Sequence, residues 1–144
     1  MAKGLSYGQQ SIKAVIGTIA SPSTLTNAYA GNTNNFPIGG VSMLTLVGTY
    51  TTGATETSNN IDIKVEGSAD KTNYYQEMTE SAAAGVVTMY PATYKVNGAG
   101  SATAYPFRIM VPVADKRIKI SIKETGVAAN YGTVVMQALM SGEY

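Results

Sequence analysis

Between Arg117 and Lys123 the chain reads Arg-Ile-Lys-Ile-Ser-Ile-Lys. Ile118, Ile120 and Ile122 alternate there with Arg117, Lys119, Ser121 and Lys123. Successive side chains of an extended chain point to opposite faces, so this period of two places the isoleucines on one face and the charges on the other. The segment predicts a strand in a sheet with one dry and one wet face. It closes the longer stretch Tyr105 to Lys123, in which a strand over Tyr105 to Val111 bends at Pro112 to Asp115 and returns as Arg117 to Lys123.

The same signal recurs along the chain. Ile61, Ile63 and Val65 alternate with Asp62, Lys64 and Glu66. In Val41 to Thr52, Leu44, Leu46 and Tyr50 share one face and Met43, Thr45, Val47 and Thr49 the other, as expected of a central strand or one covered on both sides. A strand returns around Tyr74 to Met78, and Ser81 to Gly85 reads as a turn or, through its alanines, a turn of helix. Val86 to Val96 follows, with Val87, Met89, Tyr94 and Val96 expected to pack and Pro91 marking an edge, bulge or interruption. Asn97-Gly98 carries the signature of a type I′ hairpin turn. Gly132 to Met140 is the last strand, and Ile12 to Ala20 reads as a short strand or two helical turns. Turns recur roughly every 8 to 12 residues, which is the spacing of a sandwich or barrel. The expected fold is all-β: a single antiparallel β-sandwich, jelly-roll-like, with seven or eight strands. The pattern alone leaves an immunoglobulin-like arrangement open. Residues 1–40 read as an N-terminal arm and irregular segment that forms an interface, and residues 41–144 as the sandwich domain.

The residue types that are absent narrow the chemistry. The 144-residue chain has no histidine, cysteine or tryptophan. It therefore lacks the commonest general base and metal ligand. Thiolate nucleophiles, disulfides and the usual structural zinc sites are excluded as well. No phosphate-cradling glycine motif opens a helix. Asp62 and Glu66 share a strand face and form a carboxylate pair of the kind glycosidases use, but a solvated sheet face accounts for them. Asp70, Glu77 and Glu80 offer oxygen ligands for calcium without any EF-hand spacing. Asp115 is placed to close a turn on its own backbone. The expectation is a protein without catalytic residues, cofactor or metal. There is no 18-residue apolar run, so no transmembrane helix is expected, and Gly17 and Thr18 interrupt the apolar stretch that a signal peptide would need.

Surface composition points towards assembly. Only 13% of residues are charged and the net charge is +1, which suits a free, concentrated monomer poorly. Residues 1–55 contain Lys3 and Lys13 and no acidic residue. Interface candidates are Tyr7, Ile12 and Ile16 in the arm, Tyr29 and Phe36 in the long loop over residues 21–40, and the tyrosine of the Tyr74-Tyr75 pair that faces outward, assigned to Tyr75. Lys119 and Lys123 join them from the basic group Lys116, Arg117, Lys119 and Lys123. That stripe is suited to nucleic acid or an acidic partner, but it is also suited to pairing with Asp62 and Glu66 on a neighbouring strand. In a nearly neutral chain the pairing is the simpler expectation, with no nucleic acid and no membrane as partners.

The run from Ile61 to Asp70 leading to Tyr74-Tyr75, and the run Tyr105-Pro-Phe-Arg-Ile leading through Val113 to Lys123 and on to Gly132-Thr-Val, resemble segments of small tailed-bacteriophage virion proteins of β-sandwich type. The resemblance spans about residues 41–140. It implies a capsid auxiliary or decoration protein on the particle surface, assembled in the host cytoplasm, that cements neighbouring subunits of the major capsid protein or other virion proteins. A homo-oligomer is implied, with a trimer as one form. Phage tail, neck and fibre-base components, a filament subunit, and a carbohydrate- or receptor-binding sandwich are the alternatives.

Overall fold

The structure, a computed structural model, describes residues 11–30, 36–37, 43–113, 115 and 117–142. Among these residues the chain forms eleven strands: β1 (Ser11–Thr24), β2 (Phe36–Pro37), β3 (Met43–Thr51), β4 (Asn60–Ser68), β5 (Tyr75–Gln76), β6 (Met78–Ala83), β7 (Val86–Pro91), β8 (Tyr94–Asn97), β9 (Ala104–Pro112), β10 (Arg117–Thr125) and β11 (Thr133–Gly142). One antiparallel sheet has the order β1-β11-β3-β9. A second has the order β2-β10-β4, with β5 and β8 both pairing on the far side of β4. Strands β6 and β7 form a separate two-stranded ribbon. The count exceeds the seven or eight expected because β2 and β5 are two-residue pairings and the ribbon lies outside both larger sheets.

One apolar core joins the two larger sheets. Leu44, Leu46, Tyr50, Val111, Val134, Met136 and Ala138 come from the first sheet, and Ile61, Ile63, Ile118, Ile120 and Ile122 from the second. Burial along β10 alternates residue by residue from Ile118 to Glu124, as the period of two requires. The β4–β10 register places Lys119 opposite Glu66 and Lys123 opposite Asp62. Opposite charges thus lie at facing register positions on the wet face while the isoleucines lie on the dry one. Strand β3 is central, between β11 and β9, but only its Leu44, Leu46 and Tyr50 face is covered by the core; on the other face Val47 is exposed.

Edges are managed by ordinary means. Strand β1 pairs with β11 through four register shifts, and such bulges twist an edge away from further pairing. Strand β9 carries Pro106 and ends at Pro112, residues confined to edges because they cannot donate to a ladder. Residues 11–24 and 36–37 of the expected arm thus occupy edge positions in the chain's own sheets, whereas its residues 1–10, 31–35 and 38–40 lie outside the described residues.

Three expectations are corrected. Asn97-Gly98 does not close a hairpin: β8 belongs to the second sheet and β9 to the first, so residues 98–103 cross between sheets. Gly98 is required by close approach instead, since a Cβ there would lie 2.6 Å from Thr52 Cγ2 and 2.9 Å from the Tyr50 ring. The two-residue turn is Ala84-Gly85, where φ is 51° and 76°, the positive signs that a type I′ hairpin needs at both positions; residues 81–83 are therefore strand and not turn. Finally, Val87 and Met89 are not core residues, being 57% and 50% exposed. Pro91 does interrupt its segment: the chain leaves the ribbon there and joins the second sheet at Tyr94.

The core predicts a sharp contrast between adjacent residues of β10. Ile120 is fully buried, so Ile120→Ala is expected to cost about 4 kcal/mol. Lys119→Ala on the other face is expected to cost less than about 1 kcal/mol. Urea unfolding of the two variants measures both, and similar losses would contradict the facing assigned here.

Candidate functional site

The wet face of the second sheet is the first surface to consider, because it carries the basic stripe. Its lysines are engaged within the chain. The Lys119 ammonium sits 3.9 Å from the centre of the Tyr74 ring. Lys64 and Lys123 lie 4.9 and 4.7 Å from the centre of the Tyr29 ring. Lys64 also pairs with Glu66 at 3.3 Å, and Lys95 with Asp62 at 3.7 Å. Tyr29 reaches this face because Ala30 bridges to Ile122, with backbone bonds in both directions, and Thr26 accepts from the Glu124 N–H. Burial pushes the Tyr29 hydroxyl up, and the Asp62 carboxylate adds to this. Cation–π contacts at half-exposed sites are worth about 0.5–1 kcal/mol each, so this face is an ordered, self-paired surface.

The end of the sandwich beside the ribbon is different. A cavity of about 530 Å³, open to solvent, lies between the ends of the two sheets. Val65, Val111, Val113 and Ile118 supply apolar lining, and Tyr75, Tyr94, Asp70 and Asn73 add rings and polar groups. Asp70 does not offer its carboxylate outward: it accepts from the Thr72 and Asn73 N–H groups at 2.8 Å, from the Asn73 amide at 2.7 Å and from the Ser68 hydroxyl at 3.0 Å. These donors hold its carboxyl far below the usual carboxylate range. Among the described residues no cluster of three acidic side chains could hold a metal ion. The Asp115 carboxylate packs over β4, where a Cβ on Gly67 would lie 1.9 Å from its Oδ2.

The ribbon starts at this same end. Its base is closed by the Ala92 N–H donating to the Glu77 carbonyl at 2.8 Å. All twelve residues of β6 and β7 are exposed. Met78, Val86, Val87, Met89 and Tyr90 are large apolar residues among them. Paired residues of an antiparallel ribbon share a face. The register Met78↔Pro91, Glu80↔Met89 and Ala82↔Val87 therefore makes one face apolar apart from Glu80. An isolated two-stranded ribbon is marginal in water, so this element is the part of the chain most in need of a partner.

Of the interface candidates, Tyr75 is 71% exposed and lines the cavity. Tyr29, Lys119 and Lys123 gather on the wet face of the second sheet. Ile12 pairs with Ser141 and Ile16 falls at a register shift, both in β1, and Phe36 pairs with Ile118. Tyr7 lies outside the described residues. The candidates are thus split between opposite regions. The ribbon was missed because a period of two shows that a strand has two faces without showing whether either is covered.

Two buried carboxylates position the loops around this body. Glu124, fully buried on the dry face of β10, accepts from the Tyr50 hydroxyl at 2.5 Å, the Asn59 amide at 3.1 Å and the Gly132 N–H at 2.7 Å. Burial, reinforced by this bond to Glu124, pushes the Tyr50 hydroxyl far up, so it remains a donor. Glu56 accepts from the N–H groups of Ala128, Ala129 and Asn130 at 2.8, 2.6 and 2.7 Å. The period of two, extended one residue beyond Lys123, would have placed Glu124 inward; no local signal marks Glu56.

In comparisons with known proteins, no family model and no curated protein matches this chain.

The three N–H donors hold the Glu56 carboxyl below its ordinary value. The unfolded chain therefore binds this proton more readily than the folded one, so the contribution is present above the ordinary carboxylate range and is lost as pH falls through the folded value. Glu56→Gln is expected to lower the thermal midpoint at about pH 7, by an amount that shrinks towards about pH 3. A pH-independent difference in calorimetry would contradict this. Glu124→Ala leaves a buried hydroxyl, amide and N–H without acceptors and is expected to cost about 4 kcal/mol in urea unfolding.

Proposed function

We propose that this chain is a non-enzymatic structural virion protein, a capsid decoration or cementing protein built on a jelly-roll β-sandwich. The strand order supports the jelly-roll part. With β5 and the ribbon set aside, β1-β11-β3-β9 faces β2-β10-β4-β8, and successive strands alternate between sheets except at β4 and β8. That is the connectivity of an eight-stranded double-sheet jelly roll, an architecture shared by viral capsid domains, lectins and cupins. Fold alone does not select among these roles.

The observation that carries the assembly reading is the exposed apolar ribbon beside an apolar cavity. Ribbon and cavity bring exposed apolar surface together at one end of a body whose charged face is paired internally, and Val47, Met110 and Val135 expose further apolar side chains on the outer face of the first sheet. In the cementing mechanism that end docks on the shell, each copy bridges neighbouring capsid subunits, and many weak contacts on a lattice add through avidity. The protein acts on the particle surface after assembly in the host cytoplasm, as a homo-oligomer. Gold-labelled antibody against the chain, viewed by electron microscopy on particles, is expected to mark the head shell. Label confined to a tail or neck would move the protein to those sites, and unlabelled particles would overturn the virion reading.

A second reading is favoured by the cavity itself, where Tyr75 and Tyr94 stand beside Asn73 and Gln76. Aromatic rings next to side-chain amides suit a sugar. A glycan array separates the two: binding that is lost in Tyr75→Ala supports a carbohydrate-binding module, and no binding leaves the structural role.

A further inference from the structure

The outward edge of β7 differs from the edge strands β1 and β9 of the first sheet. Strand β1 is bulged and β9 carries prolines, whereas Val86 to Tyr90 is regular, β-prone and uncharged. Ala83 and Val86 flank a two-residue turn and so exchange both backbone hydrogen bonds. Because hydrogen-bonded and open pairs alternate, Val86, Thr88 and Tyr90 direct their backbone groups to β6, and Val87 and Met89 turn theirs outward. Among the described residues nothing pairs with that outward edge.

We propose that the β7 edge is a self-association site whose occupant is β7 of a second copy of this chain, paired antiparallel about a two-fold axis at Thr88. Charge argues for this occupant. Residues 81–94 contain no charged side chain, so a partner selected by charge has nothing to meet, and two copies approach without repulsion. The β6 edge is unsuited, because self-pairing there would bring two Glu80 carboxylates together.

Register follows from the backbone. A two-fold at Thr88 sets Val87 opposite Met89 of the second copy, and each such pair exchanges both outward hydrogen bonds, four in all. Val86 then faces Tyr90, an aromatic with a β-branched residue, and Thr88 faces Thr88, both favourable pairings. Centring on Met89 instead would set Val87 against Pro91, which has no N–H to give. The contact is small beside the roughly 1,200–2,000 Å² buried in stable complexes, so it forms a reversible, concentration-dependent dimer. It is isologous and self-limiting, leaving no free β7 edge. This inference concerns the ribbon but does not rest on the virion reading, because it is tested on the purified protein alone.

The chain lacks cysteine, so introduced thiols report cleanly. Thr88 would form an open, non-hydrogen-bonded pair, whose Cα atoms approach to about 4.5 Å, close enough for a disulfide. Under mild oxidation Thr88→Cys is expected to become a covalent dimer, while Ser81→Cys, on β6, stays monomeric. By light scattering over a dilution series, the parent chain is expected to reach twice its single-chain mass. Val87→Pro and Met89→Lys should stay at single-chain mass with unchanged thermal midpoints, because both alter the outward edge and spare the ribbon's own bonds. Equal crosslinking at Ser81 and Thr88, a single-chain mass for the parent at every concentration, a three-chain mass, or an oligomer insensitive to both edge variants overturns the proposal. Capture of monomer by phosphatidylcholine vesicles, released in Met89→Lys, would overturn it too by assigning the ribbon to lipid.

Discussion

The structure depends on one buried carboxylate. Glu124 projects from β10 of the second sheet into the core and accepts from Tyr50 on β3 of the first sheet, from Asn59 just before β4, and from the Gly132 backbone just before β11. Apolar burial would hold the sheets together at many relative positions. A carboxylate taken out of water tolerates very few, because each missing donor leaves a group whose desolvation is uncompensated. Glu124 thereby fixes how the sheets sit on one another. It also guards the β10 register, since a one-residue slip would turn Glu124 outward and bring Lys119 and Lys123 into the core.

Loops at the same end of the body are pinned in related ways. The Glu56 carboxylate gathers the backbone of residues 128–130. Thr52 accepts from the Thr103 N–H and donates to the Gly100 carbonyl. The Tyr105 hydroxyl exchanges hydrogen bonds with the Ala99 backbone. Each bond joins a strand or turn of the body to a segment crossing between sheets. Among the described residues the ribbon has no such ties along β6 and β7 and is held at its base.

What was legible in the sequence follows from how local the determinants are. The isoleucines of β10 and the alternation in β4 are read from neighbours two residues apart, and their charges foretold the register that sets Lys119 opposite Glu66 and Lys123 opposite Asp62, although Glu66 pairs with Lys64 and Asp62 with Lys95. Glu56 bonds partners 72 to 74 residues away, so no window on the sequence contains both sides. Asn97-Gly98 carried a hairpin signal that tertiary packing against Thr52 and Tyr50 overrode. Val87 and Met89 have the composition of core residues, and their exposure follows from the chain leaving the sandwich at Met78 and returning at Tyr94, a decision of topology and not of pattern. The cavity was invisible for the same reason, being lined by residues from both sheets and the loops between them.

A self-sufficient body and a grafted ribbon that carries association make a claim about independence, and excising the ribbon tests it most directly. Glu77 and Ala92 already lie within a hydrogen bond of each other, so residues 78–91 can be replaced by a short glycine-containing turn without moving the sheets. Calorimetry and light scattering on the shortened chain should show a thermal midpoint close to that of the parent and a single-chain mass at all concentrations. An unfolded or strongly destabilised product, or one that associates as the parent does, would contradict the account.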